Sequence, residues 1–112
     1  MFYKTNEEQE VISFEEFKNE WVDQQDYILV DIRDDSEIEE HGAIKNTFNI
    51  SMYDIPEQID MAPTYIICIL ICDDGTRSEQ VVKFMKNNDF NNMFALEGGT
   101  NKLLEHYPEL KV

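Results

Sequence analysis

The chain has 112 residues and a mass of 13.2 kDa, enough for one domain that buries roughly two-thirds of its unfolded surface without disulfides or metal. Apolar residues make up 42% and aromatics 12%, so the acidity is that of a folding chain and not of a disordered one. A formal charge of −15 excludes phosphate backbones and anionic lipid as natural partners, because no basic stripe is present to neutralise them, and it favours a monomer.

The opening MFYKTNEEQE lacks a signal-like apolar stretch, and no later apolar run is long enough to span a bilayer, so the expected location is cytoplasmic. VIS at 11–13 predicts a short strand. SFEE at 13–16 has capping-box spacing, and Phe14, Phe17, Trp21 and Val22 follow at helical intervals, so a helix should start after Ser13. YILVDI at 27–32 is a continuous apolar run of the kind buried on both faces of a sheet. DDSEIEEHG at 34–42 predicts a short acidic helix ended by Gly42, with Arg33 and Glu37 spaced for an ion pair and Asp31 bracing the loop.

TFNIS at 47–51 predicts a weak strand, and YDIPEQIDM at 53–61 one or two helical turns with Pro56 near their start. TYIICILI at 64–71 is the strongest strand signal. SEQVVKFMKNN, after Gly75, puts Val81, Val82 and Met85 on one helical face. NMFAL at 92–96 predicts a last strand, Gly98-Gly99 a turn that positions the next element, and NKLLEHY a closing helix. Strands alternating with helices predict an α/β domain with a mainly parallel sheet, spanning 1–112 with its core at about 11–106.

Cys68 and Cys72 lie four residues apart on an expected strand, which separates their Cα atoms by roughly 13 Å, too far for a disulfide. Without clustered histidines they also make a poor zinc set, and His41 and His106 read as surface residues. Cys68 belongs in the core. Cys72 ends the strongest strand, where α/β sheets bind ligands, and leads into a helix whose first amides have no intrahelical acceptor. Gly75 lets the loop curl so that successive N–H groups form an anion nest around the sulfur. Ser78 adds a hydroxyl. Arg77 opposes the helix dipole in the first turn and therefore calls for an anion or carboxylate partner.

Asp73 and Asp74 work against a thiolate. At about 7 Å each costs it roughly 0.6–2.4 kcal/mol, against roughly 1.5–3 kcal/mol from each charge-assisted amide bond, so the amides prevail if the carboxylates point to solvent. Cys72 is then a nucleophile; read alone, it could equally be an inert buried cysteine.

Cys72-Asp73-Asp74-Gly75-Thr76-Arg77-Ser78 resembles the Cys-x-x-G-x-R-S active loop of rhodanese-like sulfurtransferases. VDIRDDSEIEEHGAI at 30–44 resembles that family's D-x-R…E…G-H-I segment, with Ala43 in place of its usual histidine, and LEGG at 96–99 resembles its L-x-G-G turn. The resemblance implies a five-stranded, mainly parallel sheet flanked by helices on both faces. It further implies sulfur transfer through a persulfide on Cys72, stabilised by the loop from Asp73 through Asp74, Gly75, Thr76 and Arg77 to Ser78. The implied partners are a small sulfane donor and a cyanide, thiol or protein acceptor, with no cofactor and no metal. Phosphatases and arsenate reductases of the same fold use a loop one residue longer than the four residues between Cys72 and Arg77. A non-catalytic recognition module is the other alternative. Family members that use thiosulfate often carry basic or neutral residues where this chain has Asp73 and Asp74.

Overall fold

Residues 9–24 and 26–112 are described by the computed structural model. Five parallel strands run β1 (Val11–Ile12), β2 (Tyr27–Asp31), β3 (Thr47–Asn49), β4 (Ile67–Ile71) and β5 (Met93–Leu96), in the spatial order β1-β5-β4-β2-β3. The sheet is parallel throughout. Between the strands lie α1 (Phe14–Glu16), α2 (Asp35–His41), a 3-10 turn at Pro56–Met61 and α3 (Thr76–Asn87), and after β5 come α4 (Gly99–His106) and a 3-10 turn at Pro108–Leu110. Ser13 caps α1 as its spacing predicts, its hydroxyl accepting from Glu16 N at 3.0 Å. The helix then widens into a π turn over Phe17–Trp21, closed by Val22 N donating to Phe17 O, which leaves Phe14, Phe17 and Trp21 all buried.

β4 is buried along its whole length because it is central, between β2 and β5, and covered on both faces. Its period of two sends Ile67, Ile69 and Ile71 into a cluster with Phe14, Phe17, Trp21 and Leu103, and Cys68, Leu70 and Cys72 into another with Val81, Val82 and Met85. α1 and α4 thus pack one face, α3 and the Pro56–Met61 turn the other. The strand is shorter than TYIICILI: Asn92 Nδ2 donates to the Pro63 and Ile66 carbonyls at 2.8 and 2.7 Å, holding that backbone outside the ladder.

Lateral direction reverses between the β2–α2–β3 and β4–α3–β5 crossovers, so the right-handed rule places α2 and α3 on opposite faces. A crevice opens between the carboxyl ends of β2 and β4, where Asp31 pairs with Ile71. The expected Arg33–Glu37 pair does not form there. Arg33, only 2% exposed, instead grips the buried Asp31 carboxylate through Nε and Nη2 at 3.0 and 2.7 Å and donates from Nη2 to Gly42 O. Two residues apart across the strand end, these side chains reach each other directly, whereas Glu37 turns back to cap the Asp34 amide and forward to another partner. This arrangement fixes both ends of α2.

Candidate active site

Cys72 follows β4 directly, and the loop it starts is shaped by two glycines in left-handed conformations. Gly75, at φ +97°, caps α3, and Gly98, at φ +81°, caps α4. The Cys72 side chain is fully buried. Its Sγ accepts from Gly75 N at 3.2 Å and Ser78 N at 3.4 Å, so the loop does curl over the sulfur.

The nest is narrower than expected. Asp73 Oδ1 takes the Asp74 amide at 2.8 Å and Asp74 Oδ1 takes the Thr76 amide at 2.9 Å, leaving those two N–H groups aimed at carboxylates instead of sulfur. Short acidic side chains capture nearby backbone amides in this way, a competition the spacing alone does not expose. The Thr76 amide holds Asp74 below the usual carboxylate range. Both aspartate side chains are exposed, yet each keeps a carboxylate oxygen within 4.8 Å of the sulfur. An anion at the sulfur therefore meets a repulsion of about 1 kcal/mol per carboxylate in water-like surroundings, rising to about 3.5 kcal/mol at an effective dielectric of 20. That exceeds the cost expected at the longer separation. Those three donor atoms converge, but with the carboxylates engaged by amides and Arg77 they make no argument for a metal.

Arg77 has the carboxylate partner its place in the first turn calls for, and has it twice. Its guanidinium binds Glu37 in a two-point fork at 2.8 and 2.7 Å and reaches Asp73 Oδ1 at 3.2 Å. The pairing raises the arginine's pKa, and the Arg77 hydrogen bonds hold the Glu37 carboxyl down to about 2 from an ordinary 4.5. A carboxyl depressed on folding adds stability that is fully present above its unfolded value and lost as pH falls through its folded value. The difference in urea midpoint between wild type and Glu37→Gln should accordingly hold steady above pH 4.5 and close as pH falls through about 2. A difference independent of pH across that window would show that the Glu37 charge does not tie α2 to α3.

Two features escaped the sequence. Glu37 belongs to this loop, not to Arg33. The start of α4 is the loop's floor: Thr100 N donates to Cys72 O at 2.7 Å and Asn101 N to Asp73 O at 3.0 Å. Gly99 fits beneath them only because it has no side chain, as a Cβ there would lie 2.2 Å from Cys72 O. The expected turn therefore positions the cysteine as well as the last helix. Ser78 Oγ, on a fully buried residue, has no hydrogen-bond partner among the described residues. His41 and His106 are exposed, as anticipated. Cys68 is 1% exposed, and burial pushes its thiol up to about 11.

The frame of the site is thus a parallel five-stranded α/β sheet with a buried cysteine loop at the carboxyl end of its central strand. The rhodanese-like domain pattern matches residues 13–106, and the chain belongs to that family. It is 30% identical over 90 residues to Coxiella burnetii GlpE, a thiosulfate sulfurtransferase, covering 80% of this chain and 82% of that one. It is 35% identical over 71 residues to Bacillus subtilis YtwF, covering 63% and 67%. A rhodanese-like domain protein from Staphylococcus aureus superposes with a TM-score of 0.70 at 29% identity, over 82% of this chain and 88% of that one. The Saccharomyces cerevisiae single-domain sulfurtransferase RDL2 shares the fold at a TM-score of 0.66 and 17% identity, covering 99% and 100%. No helix among the described residues is long and apolar enough to cross a membrane.

Proposed function

We propose that this chain is a one-domain, cytoplasmic and monomeric sulfurtransferase that carries sulfur as a persulfide on Cys72. The observation that carries the reading is the pairing of two loop amides on the Cys72 sulfur with a buried, unpartnered Ser78 hydroxyl on the same loop. An unsatisfied buried hydroxyl costs about 1–3 kcal/mol, and such a group in a native fold calls for a partner or a role. A terminal persulfide sulfur is an acceptor that would answer it.

In the first half-reaction the Cys72 thiolate attacks the sulfane sulfur of a donor. With thiosulfate, the new S–S bond forms as the old one breaks, sulfite leaves with the electron pair, and a persulfide anion remains. In the second, cyanide attacks the outer sulfur and departs as thiocyanate, returning the thiolate. A small thiol or a protein thiol replaces cyanide with the same balance. The cysteine holds the covalent intermediate, so no cofactor enters the cycle. Gly75, Thr76, Arg77 and Ser78 shape and hold the loop, and Asp73 and Asp74 set its charge. Cys68, buried and with its thiol pushed up to about 11, takes no part.

The rival reading, a recognition module with an idle Cys72, draws on the complete burial of that residue. Donor entry must displace its neighbours. Thiocyanate formation measured against donor and cyanide concentrations separates the two readings. A persulfide route gives parallel lines in double-reciprocal plots, because donor product leaves before acceptor binds. No turnover with thiosulfate, methanethiosulfonate or polysulfide, or intersecting lines, would refute the route.

A further inference from the structure

Three carboxylates, from Glu37, Asp73 and Asp74, surround the single guanidinium of the cysteine loop, and two of them bind it directly. The chain has one other arginine, Arg33, and it is buried against Asp31. At the first turn of α2, a pocket of about 520 Å3 is lined by Asp34, Asp35 and Asp54. A sulfur donor approaching Cys72 therefore meets a field two charges negative in the immediate loop, with more negative charge beyond. Arginine is the side chain best suited to grip an oxyanion by two points, and here its fork is already filled.

We propose that Glu37 is a specificity-determining residue: by occupying the Arg77 fork it withdraws the loop's only guanidinium from substrate, so that the site selects sulfur donors of low negative charge over dianionic thiosulfate. The inference rests on the persulfide reading of Cys72. The preferred donor class is an uncharged or zwitterionic small-molecule persulfide, whose outer sulfur passes to the Cys72 thiolate while the parent thiolate leaves with the electron pair. Because the Glu37 carboxyl titrates only near 2, the selection stays in force across the neutral range.

Thiosulfate and methanethiosulfonate make a matched pair for the test. Both give up a sulfane sulfur, one as a dianion releasing sulfite and the other as a monoanion releasing methanesulfinate. Their kcat/KM values are to be compared in wild type, Glu37→Gln and Asp73→Asn, each at low and high salt. Glutamine keeps an oxygen for the Asp34 amide, so α2 remains capped while one charge is lost. The Glu37→Gln and Asp73→Asn variants should each raise the thiosulfate-to-methanethiosulfonate ratio by about 2- to 10-fold at low salt, and the gain should shrink toward unity as salt rises. Equal effects on both donors, or a ratio unmoved by salt, would overturn the role of Glu37, since a structural loss lowers both donors alike. Failure of the wild type to transfer sulfur from either donor would instead strike the persulfide reading itself.

Discussion

Cys72→Ser should lose sulfur transfer by several orders of magnitude while keeping its fold within about 1 kcal/mol of wild type. Serine preserves the shape of the side chain and still offers an acceptor to the Gly75 and Ser78 amides, so the loop has little reason to move. Its oxygen, however, cannot form a persulfide. Alanine is the harsher choice. Cys72 is fully buried in the cluster with Val81, Val82 and Met85, so truncation leaves a small void and two amides without an acceptor. Thiocyanate formation together with urea unfolding checks the serine variant. Retained turnover in a protein of normal stability would take Cys72 out of the mechanism.

Gly99→Ala should damage the site without touching any reacting atom. The new Cβ would sit 2.2 Å from Cys72 O and 2.8 Å from Asp73 O, both backbone atoms with no flexible end to yield, at a φ of +55° that L side chains disfavour. Overpacking and left-handed strain together cost about 2–5 kcal/mol. The hydrogen bonds from Thr100 N and Asn101 N must stretch to relieve the clash, carrying Cys72 with them. Activity per folded molecule should therefore fall along with stability. Gly75→Ala should be milder, because its Cβ meets its nearest neighbours, Leu96 O and Gly98 N, at 3.1 and 3.2 Å. Urea midpoints for the two variants test the order, and a Gly99→Ala protein as stable and active as wild type would show that the start of α4 does not hold the loop.

Local patterning made the fold readable. Runs such as YILVDI and ILI mark central strands because β2 and β4 have neighbours on both sides, and Ser13 marks a helix start because its hydroxyl caps the chain next to it. The cysteine loop was legible for a similar reason: Gly75 and the residues of its turn lie consecutively in sequence. What could not be read were pairings made across the crevice. Arg33 and Glu37 have the spacing of a helical ion pair, yet Arg33 precedes α2 and lies buried beside Asp31, while Glu37 finds Arg77 on a helix 40 residues away. The aspartates likewise gave up their secret only as geometry. Nothing in their spacing says that they would bind the loop's own amides before a solvent molecule or a ligand did.

Both leading predictions depend on one chemical event, the transfer of a sulfur atom to Cys72, and intact mass reports it without a coupled assay. The wild-type protein is incubated with methanethiosulfonate or polysulfide, desalted, and weighed before and after treatment with cyanide, with Cys72→Ser and Cys68→Ser in parallel. Wild type and Cys68→Ser should each gain one sulfur atom that cyanide removes and that maps to the peptide containing Cys72, and Cys72→Ser should gain none. An unmodified wild type, or a cyanide-labile sulfur that persists in Cys72→Ser, would contradict sulfur transfer to Cys72.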